Sequence, residues 1–377
     1  MSPPDQPPPK NAYITLLTRP SYLAGALLLA YTLTRHSPTT PLIITYTPST
    51  LPSSCIAALQ TEAQYSNIRL HPVEHLRLPD PPEGENGGSG GMVAERFADT
   101  WTKLRVFDIW AREESDGGGQ WDTLCWLDAD MMIFSDPSPM VFGPEQATFL
   151  KGGDGLRVMA VHTCVCNLDA DAWAPREWKK ENCAMSDLTG PEQLATVGAK
   201  GQCYTRRNFN SGTFCWRPGP HISSFVKSKF EEVGSQRLRG MAFPDQDFLN
   251  EAFDNGRWGP LSWKVNALKT WRYWHRNFWV SDDDVAVCHY IVDKPWAARV
   301  GKDGVAGYKG EDGVTHTWWW EEFSRWEEER KGLGEGGLLD EVKRYVAGEE
   351  GGGEVGEEMR AIGGGAQGWA KKWEGRG

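Results

Sequence analysis

The 377-residue chain has no surplus of positive charge, no long early apolar run and no C-x-x-C pair. Each absence removes a class of function. The net charge is −11, and an acidic chain is a poor partner for nucleic acid, which is held largely through phosphate contacts. A metal or a local cationic group could still hold an anionic ligand. The longest early apolar run, 22–33, is about a dozen residues, too short to span a bilayer. The opening "MSPPDQPPPK" lacks the charged-then-apolar pattern of a signal peptide, and 1–10 reads as a disordered lead. The eight cysteines show no regular disulfide framework, so a reducing, cytoplasmic location is expected. A zinc protein built on Cys164, Cys166, Cys183, Cys203 and Cys215 is disfavoured because the spacings are wide. Buried free thiols are expected instead.

Tryptophan is abundant, at 19 residues; such rings suit cores and also stack on bases and sugars. Periodicity predicts strands at 11–18, 41–47 and 68–76, with helices at 21–36, where Ser21 can cap, and 53–65. This β-α-β-α-β order implies an α/β fold with a mostly parallel, Rossmann-like sheet flanked by helices. The Pro/Gly stretch 79–92 lacks a following Gly-Lys-Ser/Thr and reads as a flexible surface loop rather than a phosphate loop. A helix is expected over 94–114, a strand over 122–134, a strand-like segment over 203–219, and helices over 222–233, 243–253 and 315–333. Residues 152–202 resist parsing. In the last helix Trp318, Trp319, Trp320, Phe323 and Trp326 fit a face docked on the domain. Residues 348–377 form a Gly/Glu-rich tail.

The stretch "CWLDADMMIF" (125–134) sets two carboxylates in an apolar run. The period-two rule places Asp128 and Asp130 on one face of a strand end, with Ala129 opposite. Two like charges there repel, and a divalent cation relieves them. Oxygen ligands suit Mg or Mn. D-x-D alone is common by chance. His289 follows another apolar run, 285–288, and would add a nitrogen ligand; Lys294 can reach phosphate oxygens. A lone histidine, taken by itself, is more often a satisfied structural residue.

In order, "YITLLTRPSYLAGALLL", "DTWTKLRVFDIW", "LDADMMIF", "FNSGTFCWRP", "PDQDFLN" and "CHYIVDKPW" cover about 12–297. Together they resemble the nucleotide-sugar-dependent glycosyltransferases of family 8, the group containing glycogenin and galactinol synthase. The resemblance implies a GT-A fold over 11–300, with 152–202 an acceptor-side insert and 301–347 a helical extension. It implies a UDP-sugar donor, Mn2+ (or Mg2+), and retention of anomeric configuration. Asp128, Asp130 and His289 match the metal ligands, with Ala129 between the carboxylates. Leu16, Thr18 and Tyr22 match positions lining the uridine site. Lys103 matches a lysine at the donor sugar and phosphate, and Lys294 the diphosphate lysine. Asn210 and Ser211 match the motif at the sugar hydroxyls, and Asp245 and Gln246 the pair at the reacting centre. Some positions depart from the pattern: Arg19 stands where Asn is frequent, Arg96 is only near the register of a donor arginine, and the glycine between His289 and Lys294 is missing.

The function expected is therefore a retaining transfer of a hexose from a UDP-sugar to a carbohydrate or other hydroxyl acceptor. No nucleic-acid partner and no membrane span are expected, and a homodimer stays open. Self-glucosylation at Tyr273, a non-catalytic nucleotide-sugar or glycan binder on the same fold, and a nucleotidyltransferase are the rival readings. The last would carry a Gly-rich basic segment where "TRPSYLAGALLL" stands. "KTWRYWHRN" around Tyr273 also resembles members that do not modify themselves, which favours an external acceptor.

Overall fold

A computed structural model of the chain describes residues 10–78, 99–171, 174–307 and 309–348. The lead over 1–9, the loop over 79–92 and the tail over 349–377 lie outside the described residues. A seven-stranded sheet forms the centre, in the order β3-β2-β1-β4-β7-β6-β8. Its strands are β1 (Asn11–Leu17), β2 (Leu42–Tyr46), β3 (Ile68–Pro72), β4 (Thr123–Leu127), β6 (Val158–His162), β7 (Phe209–Trp216) and β8 (Trp258–Pro260). Only β7 runs against its neighbours, so the sheet is mixed and mostly parallel. Strands β1 and β4 are buried along most of their length, as parallel strands covered on both faces must be.

Helices α1 (Leu23–His36) and α2 (Ser53–Glu62) complete the expected β-α-β-α-β unit. Ser21 does not cap α1; it lies buried in a 3-10 turn, Pro20–Tyr22, ahead of it. On the other face pack α4 (Pro220–Val233), α5 (Pro244–Ala252) and a 3-10 run, Thr100–Asp108. This run stands in the span 94–114 where an α-helix is expected; 94–98 lie outside the described residues. Trp101, Leu104, Val106 and Phe107 bury its apolar side, and Thr102 and Lys103 are buried with them. Helix α3 (Pro144–Lys151) precedes β6, the strand that residues 152–202 contribute to the sheet, between β7 and edge strand β8.

The strand expected over 122–134 is two strands. Strand β4 ends at Leu127; Asp128 to Asp130 turn, with the Met131 N–H on the Asp128 carbonyl at 3.2 Å; then β5 (Met131–Ile133) leaves for a second sheet. That sheet has the order β5-β10-β9, with β9 Ala267–Leu268 and β10 Val287–His289. Helices α6 (Gly313–Gly332) and α7 (Gly336–Lys343) dock on the α1/α2 side. Trp319, Trp320, Phe323 and Trp326 are buried there. Arg330 donates to both Glu62 carboxylate oxygens at 2.6 and 2.9 Å, and the Trp326 indole adds a third donor at 3.0 Å. A buried carboxylate so completely paired avoids the desolvation penalty of a lone charge.

Candidate functional site

Strand order reverses between β1 and β4: the chain proceeds from β1 to β2 and β3 on one side, then returns to place β4 on the other. Such a switch point opens a crevice at the carboxyl ends of the strands. Thr18 and Tyr22 follow β1 there, and Asp128 follows β4. Two pairings bring His289 to the same place. Strand β10 pairs with β5 so that His289 lies opposite Met131, and the Tyr290 N–H bonds the Asp130 carbonyl at 2.9 Å. The second sheet is thus the reason two segments far apart in sequence meet.

His289 Nε2 stands 3.3 Å from Asp130 Oδ1 and 3.7 Å from Asp128 Oδ2. Its tautomer follows from a chain of amides. The Gly212 N–H donates to Asn210 Oδ1 at 3.0 Å, which marks that atom as the acceptor. Asn266 Nδ2 donates to the same oxygen at 2.9 Å, so Asn266 Oδ1 faces His289 Nδ1 at 2.9 Å and takes its proton. Nε2 is then the ring atom that faces the two carboxylate oxygens, and in the neutral imidazole it offers its lone pair to a cation shared with them. Three acceptors facing one another, with the imidazole oriented by a second partner, form a donor set that fits a divalent cation. Gly212 is essential to this packing: a Cβ there would lie 2.4 Å from His289 Cε1 and 2.7 Å from Nδ1. Gly25 plays the same part behind the turn, where a Cβ would come within 2.4 Å of the Ala129 carbonyl.

Two lysines flank the carboxylates. Lys294 pairs with Asp130 and donates to the Tyr290 carbonyl at 2.8 Å. Lys103 bridges Asp128 at 3.0 Å and Asp245 at 2.5 Å. Burial alone would raise the Asp130 carboxyl, but the adjoining Lys294 ammonium outweighs it and holds the group far below the usual carboxylate range. Burial would likewise lower Lys103; Asp128 and Asp245 reverse that and hold its ammonium above the ordinary value. Both groups are therefore charged at neutral pH.

The remaining sequence-selected residues gather around this core. Ser211 Oγ donates to Asp245 Oδ2 at 2.9 Å, and Asn210 Nδ2 to Gln246 Oε1 at 3.1 Å. Trp126 Nε1 donates to Asp128 Oδ1 at 2.8 Å, and Lys103 Nζ lies 4.9 Å from its ring centre. Tyr22 meets Trp296 edge-on at 5.7 Å, with Lys294 Nζ 5.8 Å from the Tyr22 ring centre. Thr50 Oγ1 ties the Thr18 carbonyl at 2.6 Å, and Leu16 is half-buried on β1. Arg19 pairs with Asp99, away from the carboxylate pair; Arg96 lies outside the described residues. In place of the missing glycine, Val292 adopts φ +64°, a conformation strained for a β-branched residue. The sequence reading missed Asn266, whose orienting role depends on a two-residue strand, and missed the obligate contact of Gly212.

A second group of ligand atoms lies apart from this site. Cys164, Cys166, Cys183 and His275 converge in the interior. The three cysteines are buried free thiols, as expected; the fold of the loop after β6 also brings them together beside His275. Cys203 and Cys215 stand outside the group.

No family model and no curated protein matches the chain. Solved structures similar to it include the galactosyltransferase LgtC with donor and acceptor sugar analogs, at 16% identity and TM-score 0.48, covering 82% of this chain and 94% of that one. The glycosyltransferase GlyE of Streptococcus pneumoniae TIGR4 is 13% identical with TM-score 0.46, over 85% of this chain and 64% of its own. Mouse xyloside xylosyltransferase 1 is 12% identical with TM-score 0.42, over 74% and 98%. Likeness at this level fixes no activity for the present chain.

Proposed function

We propose that this protein is a GT-A glycosyltransferase of the family 8 type, moving a hexose from a UDP-sugar to an external hydroxyl acceptor with retention. The observation that carries the reading is the meeting of Asp128, Asp130 and His289 at the switch point of a mostly parallel sheet, flanked by Lys103 and Lys294. Six family-like segments supply those same residues. Asp128, Asp130 and His289 would hold Mn2+ or Mg2+, and such an ion, when bound, supplies positive charge to a departing diphosphate.

The chain's own residues divide the rest of the work. Tyr22, its ring fixed against Trp296, offers a face to the uracil, with Leu16 and Thr18 beside it. Lys294 exchanges part of its pairing with Asp130 for a phosphate oxygen, so its charge meets the leaving group as negative charge develops. Asn210 and Ser211 present polar groups to the sugar hydroxyls and are locked by Gln246 and Asp245. Asp245 Oδ2 already accepts from Lys103 and Ser211, which blunts it as a nucleophile. A route in which the leaving phosphate takes the acceptor's proton therefore asks less of these residues than a covalent glycosyl-Asp245. Burial, then Asp312 and Asp169, push the Tyr273 phenol far above the ordinary value, so it is not an activated phenolate, and self-glucosylation is left to the mass measurement below.

The decisive experiment is a screen of UDP-glucose, UDP-galactose and UDP-N-acetylglucosamine with Mn2+, read as UDP release. Intact mass is measured in parallel. Turnover of one donor with unchanged protein mass is expected. A ladder of added hexoses would move the acceptor to the protein itself, and absence of turnover with every donor would favour a binding protein.

A further inference from the structure

The geometry points to a structural zinc site formed by Cys164, Cys166, Cys183 and His275, separate from the carboxylate site. Cys164 and Cys166 Sγ each lie 3.3 Å from His275 Nε2, and Cys183 Sγ lies 4.0 Å from Cys164 Sγ. A tetrahedral zinc with its usual bond lengths has sulfur–sulfur edges of about 3.8 Å and sulfur–nitrogen edges of about 3.6 Å. The three separations given lie within about 0.3 Å of those edges, and all four ligand atoms lie within 4.8 Å of one another. A disulfide is a worse account of the group, since sulfurs 4.0 Å apart would have to close to about 2 Å, leaving the third thiol and the imidazole unexplained.

Softness and access agree with this choice of metal. Three sulfurs and one imidazole select zinc over Mn or Mg. All four residues are buried, Cys183 at 0% and His275 at 2% exposure, so there is no open position for a substrate. The surroundings are built as an outer shell. Ser186 Oγ lies 3.1 Å from Cys166 Sγ, beside the His275 imidazole. Phe278 stacks on that ring at 5.1 Å. On binding, each thiol gives up its proton and zinc takes three thiolates, with no change of oxidation state.

The placement says what such an ion would do. Between β6 and β7 the chain has only short 3-10 turns among the described residues, and its regular hydrogen bonding is correspondingly sparse. Cys164, Cys166 and Cys183 belong to this stretch; His275 directly follows the short helix Trp271–Trp274 that leads out of β9. Strand β9 pairs with β10, which carries His289. A zinc here staples the irregular segment to the sheet that presents the carboxylate site's histidine.

Metal content of the purified full chain, after dialysis against EDTA, tests the assignment. About one zinc per chain is expected to survive, and protein grown with cobalt should show thiolate-to-cobalt charge transfer and tetrahedral ligand-field bands. Cys183→Ser and His275→Ala should lose that zinc, while Asp130→Asn should keep it. If the Cys183 and His275 variants are insoluble, the wild-type zinc content and cobalt spectrum decide alone. Zinc lost in Asp130→Asn, an octahedral oxygen-type cobalt spectrum, a Cys164–Cys183 disulfide in the intact mass, or metal-free protein with all thiols titratable would each overturn the site.

Discussion

The carboxylate cluster and the sulfur cluster differ in ligand chemistry and in access. Asp128, Asp130 and His289 are mostly oxygen donors, and the Asp128 side chain keeps 25% of its surface exposed. Cys164, Cys166, Cys183 and His275 are sulfur and nitrogen donors sealed in the core. Hard ligands with an open side suit an ion that must share its coordination with a substrate; soft ligands with none suit an ion that only holds the chain. The supporting groups differ in the same sense. Lysines surround the first cluster and would exchange partners when a diphosphate arrives, whereas aromatic rings and backbone surround the second.

The sharpest way to break this comparison is Asp130→Ala. If the open cluster does the chemistry, UDP release per folded molecule should fall by about 10³-fold or more, the scale of losing a principal electrostatic group in an active site; the melting temperature falls as well, because buried Lys294 loses its carboxylate partner. Near-normal Mn-dependent turnover would remove the carboxylates from the reaction. The reciprocal variant, Cys183→Ser, should spare the chemistry. Loss of a structural metal belongs to the short list of large destabilisations, about 3 kcal/mol or more, yet kcat per folded molecule should stay within a few-fold of wild type. Urea midpoints beside active-site-titrated rates separate the two quantities, and a selective collapse of kcat in soluble Cys183→Ser would merge the clusters into one functional unit.

A milder test addresses how the open cluster is aimed. Asn266→Ala removes the acceptor that holds the His289 proton on Nδ1, and loss of such an orienting partner typically costs about 10–100-fold in metal affinity. Titration of Mn2+ against activity should show this as a higher half-saturating concentration, recovered in part by Asn266→Asp. An unchanged requirement would mean that His289 is oriented by packing on Gly212 alone.

These tests bear on residues of unequal legibility. The first half of the sheet was readable because β1, α1, β2 and α2 carry strong periodicity in short, separate segments. Asp128 and Asp130 were readable as a pair, but for a reason the structure alters: they converge through a turn and a change of sheet, not through strand alternation. The 3-10 run at Thr100–Asp108 was hidden because an apolar repeat of three also satisfies a loose helical pattern. Strand β6 was hidden in a stretch whose charged flanks masked five apolar-to-neutral positions. Asn266 and the sulfur cluster could not be read from spacing, because their partners arrive through β9 pairing and through the fold of the 163–188 loop. The only local signal was Cys164 and Cys166, separated by one residue, in a tract of poor periodicity.

The smallest effect concerns α5, the helix that supplies Asp245 and Gln246 to the open cluster. Asp247 accepts the Phe243 N–H at 3.0 Å. Burial pushes its carboxyl up to about 6, more than its backbone hydrogen bonds lower it. A carboxyl whose folded pKa is raised binds its proton more tightly in the native state. Its stabilising contribution is full below the unfolded value near 4 and is lost as pH rises through about 6. Allowing for partial exposure, the swing is about 1–2 kcal/mol. Asp247→Asn keeps an acceptor for Phe243 without the titration, so its urea midpoint should decline less than wild type between pH 4 and pH 6. The sulfur cluster lies on other elements, so zinc content should be the same in the two proteins at neutral pH. An identical pH slope in Asp247→Asn would place the titration elsewhere.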